Sequence, residues 1–481
     1  MVKTLVFMPV VGAAVVAMLP ARRTVWLWQA AMLFVLGALG YALWLAGQFD
    51  PAGPAIQMIE SRAWNVRLGS NFALGVDGIS LAMLLLTALL TLIAVLVSRR
   101  MVEGARLYFT LVLLLESAMF GVFTARDWSL FYVFWEATLL PLFFLIDRLG
   151  GPNRQRAALN FFLYTLGGSV FMLVALLFLY DAAPGHSFAM ADMAAGGRSL
   201  PLPTQLLIFA GLFLGFGVKM PVFPLHGWLP LAHVEAPSPV SILLSGVLLK
   251  MGAYGLIRAA ETLPAALLAV QDGLALIAFV SLLYGGILAW RQQDLKAMVA
   301  YSSISHMGVV LLGIATLNVT GLTGAVMQMV AHGLTAGLLF MIVGLLYQRT
   351  HSRDLADYGS LLGGAPRFAF FAAFALLAAL GLPGSAGFIA ELHALVGGFG
   401  RWGGWVLVVC LGMLIGAAYS VRVIRRLCLP GPGMALADMT RTEAVAAGIL
   451  ALGIVGLGVW PAPLLNLVAG SIGQVGRLFG A

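Results

Sequence analysis

Long apolar runs dominate this chain and leave it few ways to fold. Stretches of roughly 20 apolar residues recur along it, the length a helix needs to cross the hydrocarbon core of a bilayer. We place them at 4–20, 25–47, 75–97, 107–125, 128–147, 158–180, 204–225, 238–258, 270–290, 297–316, 320–347, 367–396, 402–424 and 442–463. Backbone polar groups in lipid must be satisfied within the segment or within a closed barrel. Barrel strands are about 10 residues long and alternate in polarity, and these runs are longer and do not alternate. The expected fold is therefore all-α and polytopic, with about 14 transmembrane helices. Composition agrees, because only 10% of the 481 residues are charged, against about 25% in soluble domains. The runs 320–347 and 367–396 exceed one bilayer thickness, so they must tilt, break or extend beyond the lipid.

The net charge of +8 would suggest a nucleic-acid partner in a soluble protein. Here the arginines are strung along short loops, which reads as membrane orientation. Loops after odd-numbered spans hold about twice as many Lys and Arg as the opposite side. The positive-inside rule then puts those loops in the cytoplasm and both termini on the periplasmic side. The first 20 residues, with Lys3 and an apolar run, have the make-up of a secretory signal but lack a clear A-x-A site. The many spans that follow favour an uncleaved first helix. The longest connections, about 48–74 and 181–203, have room for a short hairpin at most, and a short amphipathic tail follows residue 463.

The motifs of redox and nucleotide chemistry are missing from the sequence. Cys410 and Cys428 are not spaced as a metal pair or a disulfide framework, and without a Cys cluster there is no iron–sulfur ligation. There is no Walker A sequence and no strand-linked GxGxxG. No helix carries two histidines four apart, so no metal site is expected. Cofactors are expected in partner subunits rather than in this chain.

What stands out instead is ionisable residues inside spans. A charge at the bilayer centre costs about 2.5–3.5 kcal/mol on insertion scales, so such residues are functional candidates. Glu136 sits in FYVFWEATLLPLFFLI, where Pro141 withholds the backbone donor for the carbonyl four residues earlier. The alternative reading is a protonated carboxyl bonded between helices. Lys219 sits in LFLGFGVKMPVFPLHGWLP, between two glycines and two prolines, the pattern of a broken helix that builds an ion site. The alternative is a lysine snorkelling from a helix end. Lys250, in SILLSGVLLKMGAYGLIR, is too deep to snorkel easily. Glu391 follows a second interruption at Pro383 and Gly384. His306 lies among Ser302, Ser303 and Ser305, while Gln328, His332 and Thr335 share one helix face. Histidine exchanges protons near neutral pH, although each of these could equally be a bonded interhelical residue. Glu116, His226 and His233 are candidates for a proton path, with helix capping or burial as the alternative. Asp77, Glu235 and Lys296 lie near span ends, where an interfacial position is expected.

These segments resemble a known family. FYVFWEATLLPLFFLI, FGVKMPVFPLHGWLPLAHVEAPSPVSILLSGVLLKMGAYGLIR, QQDLKAMVAYSSISHMG and MVAHGLTAGLLF are similar to the proton-conducting antiporter-like subunits. That family includes the large membrane-arm subunits of respiratory complex I and of multisubunit sodium/proton antiporters. The resemblance covers essentially the whole chain and is strongest over about 128–425. Within the family it is greatest to the subunit M branch, from the FYVFWE segment, the acid at Glu391 and the lack of a long C-terminal lateral helix.

The resemblance implies two inverted five-helix repeats and two broken helices. The division would be 1–106, 107–258, 259–424 and 425–481, the middle two being the repeats. It implies that Glu136 pairs with Lys219 as a switch, that Lys250 links two half-channels, and that Glu391 is the terminal site, with His306 and His332 on the axis between. It implies a proton-translocating subunit of an NADH–quinone oxidoreductase in a bacterial inner membrane. Its partners would be other membrane-arm subunits and a peripheral arm carrying FMN, iron–sulfur clusters and a quinone site. A sodium/proton antiporter or a hydrogenase- or ferredoxin-linked complex is the alternative, and a non-conducting scaffold a further one.

Overall fold

A computed structural model describes residues 1–101, 103–428 and 436–480. Helices occupy most of it. In chain order they are α1 (Val2–Met18), α2 (Thr24–Gln48), α3 (Gly78–Val97), α4 (Ala105–Thr124), α5 (Trp128–Ala137), α6 (Leu139–Leu149), α7 (Arg154–Ala182), α8 (Met190–Ser199) and α9 (Leu202–Lys219). They continue as α10 (Leu229–Glu235), α11 (Ser238–Leu243), α12 (Leu249–Thr262), α13 (Pro264–Arg291), α14 (Leu295–Ala315), α15 (Val319–Thr350) and a short α16 (Leu361–Gly364). The last are α17 (Pro366–Ala379), α18 (Ala386–Trp402), α19 (Val409–Cys428), α20 (Arg441–Val459) and α21 (Ala462–Arg477).

Among the described residues, 12 helical stretches are long and apolar enough to cross a membrane, and α1 and α17 are shorter apolar helices. The protein is polytopic and helical, as expected. The connection 48–74 holds the short antiparallel hairpin it has room for, β1 (Gln57–Asn65) and β2 (Ser70–Val76). Two details differ from the sequence reading. The connection 181–203 holds a helix, α8, rather than a hairpin. The run 386–428 is one apolar stretch, divided by a 3-10 turn at Gly403–Val408 rather than by a polar loop. The tail beyond 463 is α21, amphipathic as expected. Leu464, Val468, Ser471, Ile472 and Val475 form its buried face, which packs on α3 and α15.

Local chemistry sets the ends of these helices. The Asp77, Asp127, Asp294, Asn318 and Ser385 side chains each accept a backbone N–H in the first turn of the helix that follows. Such caps contribute about 1 kcal/mol each. Proline sets the interruptions. Pro141 has no N–H for the Ala137 carbonyl, and the helix bends at Thr138 between α5 and α6. Pro221 has none for Gly217, whose carbonyl takes the Val222 N–H at 3.1 Å while α9 stops at Lys219. Pro383 has none for Ala379, the last residue of α17. Each loss follows from the ring nitrogen.

The interior is built from α11–α12, α14 and α15, nearly all of whose residues are buried, while α2, α7 and α19 present apolar faces outward. Close helix contact depends on small residues, as is common in membranes. A Cβ at Gly255 on α12 would overlap the Phe216 ring of α9, whereas Gly273 on α13 has open space around it. We therefore expect Gly255→Val to destabilise the detergent-solubilised protein by about 1–3 kcal/mol through overpacking. Gly273→Ala should be neutral or stabilising by up to about 1 kcal/mol. Thermal unfolding of the two variants side by side checks this.

Candidate proton-transfer axis

Lys219 is the last residue of α9 and is 1% exposed. Its Nζ donates to Thr138 Oγ1 at 3.0 Å, at the bend between α5 and α6. The ammonium also lies 5.2 Å from the Trp135 ring centre and 5.9 Å from that of Phe161, a cation–π cradle. The snorkelling alternative does not hold, because the side chain is enclosed. Glu136 lies near enough for its charge to act on Lys219. Yet no ion pair within 4.0 Å joins them among the described residues. Glu136 is half-buried beside Tyr132, one turn earlier, and its Oε1 has no hydrogen-bond partner. The structure thus holds the two residues near each other but unpaired, with Thr138 rather than the carboxylate on the ammonium.

Lys250 is fully buried. It follows a π-turn at Leu244–Leu248, a widening of the helix that disturbs the regular carbonyl ladder. Its Nζ donates to the Ser245 carbonyl and lies 2.7 Å from His332 Nδ1. With Lys250 an ammonium, Nδ1 must accept, so the ring proton sits on His332 Nε2, which has no protein partner. The His306 ring is 5.1 Å from that of His332. Its Nε2 bonds the Ala379 carbonyl at 2.9 Å, the carbonyl that Pro383 leaves without a helical donor. A carbonyl only accepts, so a proton is on Nε2, while His306 Nδ1 has no hydrogen bond of standard geometry and lies near the Ser302 backbone one turn earlier.

His332 and His306 border one small cavity of about 10 Å³ with Ser302, Gln328, Thr335 and Glu391, room for about one water. Glu391 closes it from α18. Its carboxylate lies against Gly381, whose φ of +75° and lack of a Cβ allow the approach. The Tyr419 side chain lies beside both Glu391 and Ser302. Lys250, His332, His306 and Glu391 are therefore brought together. Lys219 is not in polar contact with Lys250; α9 and α12 meet there through Gly252 and Gly255 against Phe216 and Met220.

Of the remaining candidates, His233 is fully buried and stacked on Phe340 at 4.4 Å, with neither ring nitrogen hydrogen-bonded. It feels the charges of both Lys250 and Lys296. His226 stands in the turn between α9 and α10, its ring 5.1 Å from that of Tyr284. Glu116 is fully buried, near Thr91 of α3, and joins none of the axis residues by a hydrogen bond.

Three residues that the sequence places at an interface, Asp77, Glu235 and Lys296, are in fact buried. Lys296 is 5% exposed and Glu235 4%. Lys296 Nζ donates to the Ala236 carbonyl, which lies where α10 ends before Pro237. Lys296 and Glu235 line an open vestibule of about 680 Å³ with Ser98, Glu103, Tyr347 and Arg353. Beside it Arg353 pairs with Asp294 at 3.1 Å. One signal for Lys296 is present in the sequence. A lysine in the first turn of a helix opposes the helix dipole, and so needs other partners.

This arrangement can be set against known proteins. Residues 125–416 match the family described as NADH:quinone oxidoreductase/Mrp antiporter, TM. A protein of Rhodobacter capsulatus named NADH-quinone oxidoreductase subunit M is 38% identical, over 98% of this chain and 95% of its own. The chain belongs to this family. A Synechococcus NAD(P)H-quinone oxidoreductase chain 4 is 39% identical, over 95% of this chain and 89% of its own. Among solved structures, a chain of respiratory complex I from Thermus thermophilus with bound NADH superposes with a TM-score of 0.92 at 31% identity, each chain fully covered. A chain of the Mrp complex from Dietzia sp. shares the fold, with a TM-score of 0.89 at 19% identity.

The close approach at Gly381 gives a test of the site's geometry. A methyl group there overlaps Glu391 Oε2 and demands a left-handed backbone, so Gly381→Ala should displace the carboxylate. Infrared difference spectra should show the carboxyl band that is lost in Glu391→Gln at a shifted frequency in Gly381→Ala.

Proposed function

We propose that this chain is a proton-translocating membrane subunit of an NADH–quinone oxidoreductase of the complex I type, corresponding to subunit M. The reading is carried by Lys250 bonded to His332, and by His332, His306 and Glu391 around one cavity, in the buried interior of a family member. In this reading 107–258 and 259–424 are the two repeats, each containing one broken helix. The vestibule faces the cytoplasm, on the side of the basic loops, and the termini face the periplasm. The protein itself supplies proton carriers. FMN, iron–sulfur clusters and quinone belong to partner subunits, which drive transport through conformational or electrostatic coupling.

Protons are taken up from the vestibule past Lys296 and His233 and reach Lys250. Lys250 protonates His332, whose free Nε2–H passes a proton across the cavity to His306 Nδ1, and Glu391 receives it for release. Water in the cavity bridges the gap between rings. Glu136 and Lys219 act as the switch. When they approach, the carboxylate holds the ammonium charged; when they part, the lysine loses its counter-charge and yields its proton. Two unit charges 4 Å apart attract by about 4 kcal/mol at an effective dielectric of about 20. That exceeds the roughly 2.3 kcal/mol needed to move one charge against 100 mV, so the switch is strong enough to gate transport.

The test is proton pumping in inside-out vesicles holding the assembled complex. Lys219→Ala and Lys250→Ala should each reduce pumping by about tenfold or more while the complex remains assembled, and pumping by the unaltered complex should be indifferent to sodium. Undiminished pumping in both variants contradicts the reading, and a strict sodium requirement would favour an antiporter instead.

A further inference from the structure

The helix face that carries Lys250 continues through polar residues in a second direction. Lys250, Tyr254 and Arg258 are spaced four apart on α12 and so share one face, which runs from the axis to the end of the molecule opposite the vestibule. Tyr254 is fully buried; its hydroxyl donates to the Phe123 carbonyl at 3.0 Å and lies 3.2 Å from Ser80 Oγ. Arg258 Nη2 donates to the same hydroxyl at 3.1 Å, and its guanidinium stands 4.6 Å over the Tyr254 ring. Beyond it lies a knot of charge. Arg258 pairs with Asp77, which also holds Arg126 at 3.1 Å, and Arg258 Nη1 bonds Glu261 at 2.8 Å. Arg126 Nη2 reaches Ser80 Oγ at 3.2 Å as well. Arg258 and Asp77 are each 2% exposed, whereas Glu261 is at the rim.

Hydroxyls alone along this line would be a liability. Tyr254 and Ser80 are hydrogen-bonded hydroxyls that can relay a hydrogen ion, and they extend the polar face from Lys250 toward the far surface. We propose that Arg258 and Arg126, anchored on Asp77, form an electrostatic seal that keeps protons on Lys250 from leaking along α12. The inference rests on the proposed function. Its physics is that a guanidinium has no acceptor and is not deprotonated in proteins, so it cannot relay a proton, and its fixed charge repels an approaching one, as arginines do in other pores. Asp77 does not provide a detour. Burial works to raise its carboxyl, but the Arg258 and Arg126 charges and the Ser80 N–H outweigh this and hold it well below the usual carboxylate range, so it remains ionised and anchored.

The seal is tested with the assembled complex in proteoliposomes, with no electron donor, by following decay of an imposed pH gradient with an enclosed pH dye. Arg258→Gln leaves the Asp77–Arg126 pair in place and should raise passive proton conductance by about tenfold or more. Potassium leakage should stay unchanged, and Arg258→Lys should leak less than Arg258→Gln. Adding Tyr254→Phe to Arg258→Gln should restore tightness, because it removes the hydroxyl that stands between Lys250 and Arg258 on this helix face. If Arg258→Gln does not assemble, Arg126→Gln keeps the Asp77–Arg258 pair and should leak in the same Tyr254-dependent way. A variant as tight as the unaltered complex overturns the proposal. So does a leak that persists with Tyr254→Phe or admits potassium, which marks general loosening. Donor-driven pumping by the unaltered complex is measured in the same vesicles; its absence would count against the proposed function, whereas the leak readings judge the seal.

Discussion

Everything in this molecule follows from the difficulty of keeping a charge away from water. Lys219, Lys250 and Glu391 are each expensive in hydrocarbon, at about 2.5–3.5 kcal/mol apiece on insertion scales, and a regular helix offers them nothing, since its carbonyls are already engaged. The chain meets this by breaking helices next to the charges. Pro141 bends the helix beside Thr138, the acceptor of Lys219. The π-turn precedes Lys250, whose ammonium bonds the Ser245 carbonyl. Pro383 frees the Ala379 carbonyl for His306. The interruptions that supply partners are the same ones that gather these residues, so in the proposed function stability and transport have one structural cause.

Much of this was legible in the sequence. Ionisable residues flanked by apolar ones announce themselves, and Lys219, Lys250, His306, His332 and Glu391 are all enclosed as expected. The broken helices could be read from Pro221, Pro224, Pro383 and Gly384. What could not be read is contact between distant elements. Lys296 and Glu235 sit at helix ends in the sequence, where water is the default partner, but α10 and α14 fold over each other and enclose them. Asp77, Arg126 and Arg258 come from three separate segments, and only tertiary structure joins them. The π-turn has no sequence signature. Glu136 is a different case: its position was legible, but whether it touches Lys219 depends on a distance that a linear sequence does not encode.

The two polar directions from Lys250 differ in chemistry. Toward Glu391 stand imidazoles and a carboxyl, groups that can both bind and release a proton. Toward Asp77 stand guanidiniums, which cannot. A transporter needs both, since a carrier reachable from two surfaces at once dissipates the gradient it builds. The vestibule at Lys296, the axis along α14, α15 and α18, and the charged knot at the far end of α12 form one consistent arrangement for movement in a single direction.

The most direct test of the central claim, a continuous proton-carrying interior between Lys250 and Glu391, is the position of ordered water in an electron cryomicroscopy map of the assembled complex. A water is expected between His332 Nε2 and His306 Nδ1 beside Glu391, with vestibule water reaching Lys296 and none between Tyr254 and Arg258. A dry cavity at the two histidines, together with a water file along α12 to Asp77, would contradict that claim.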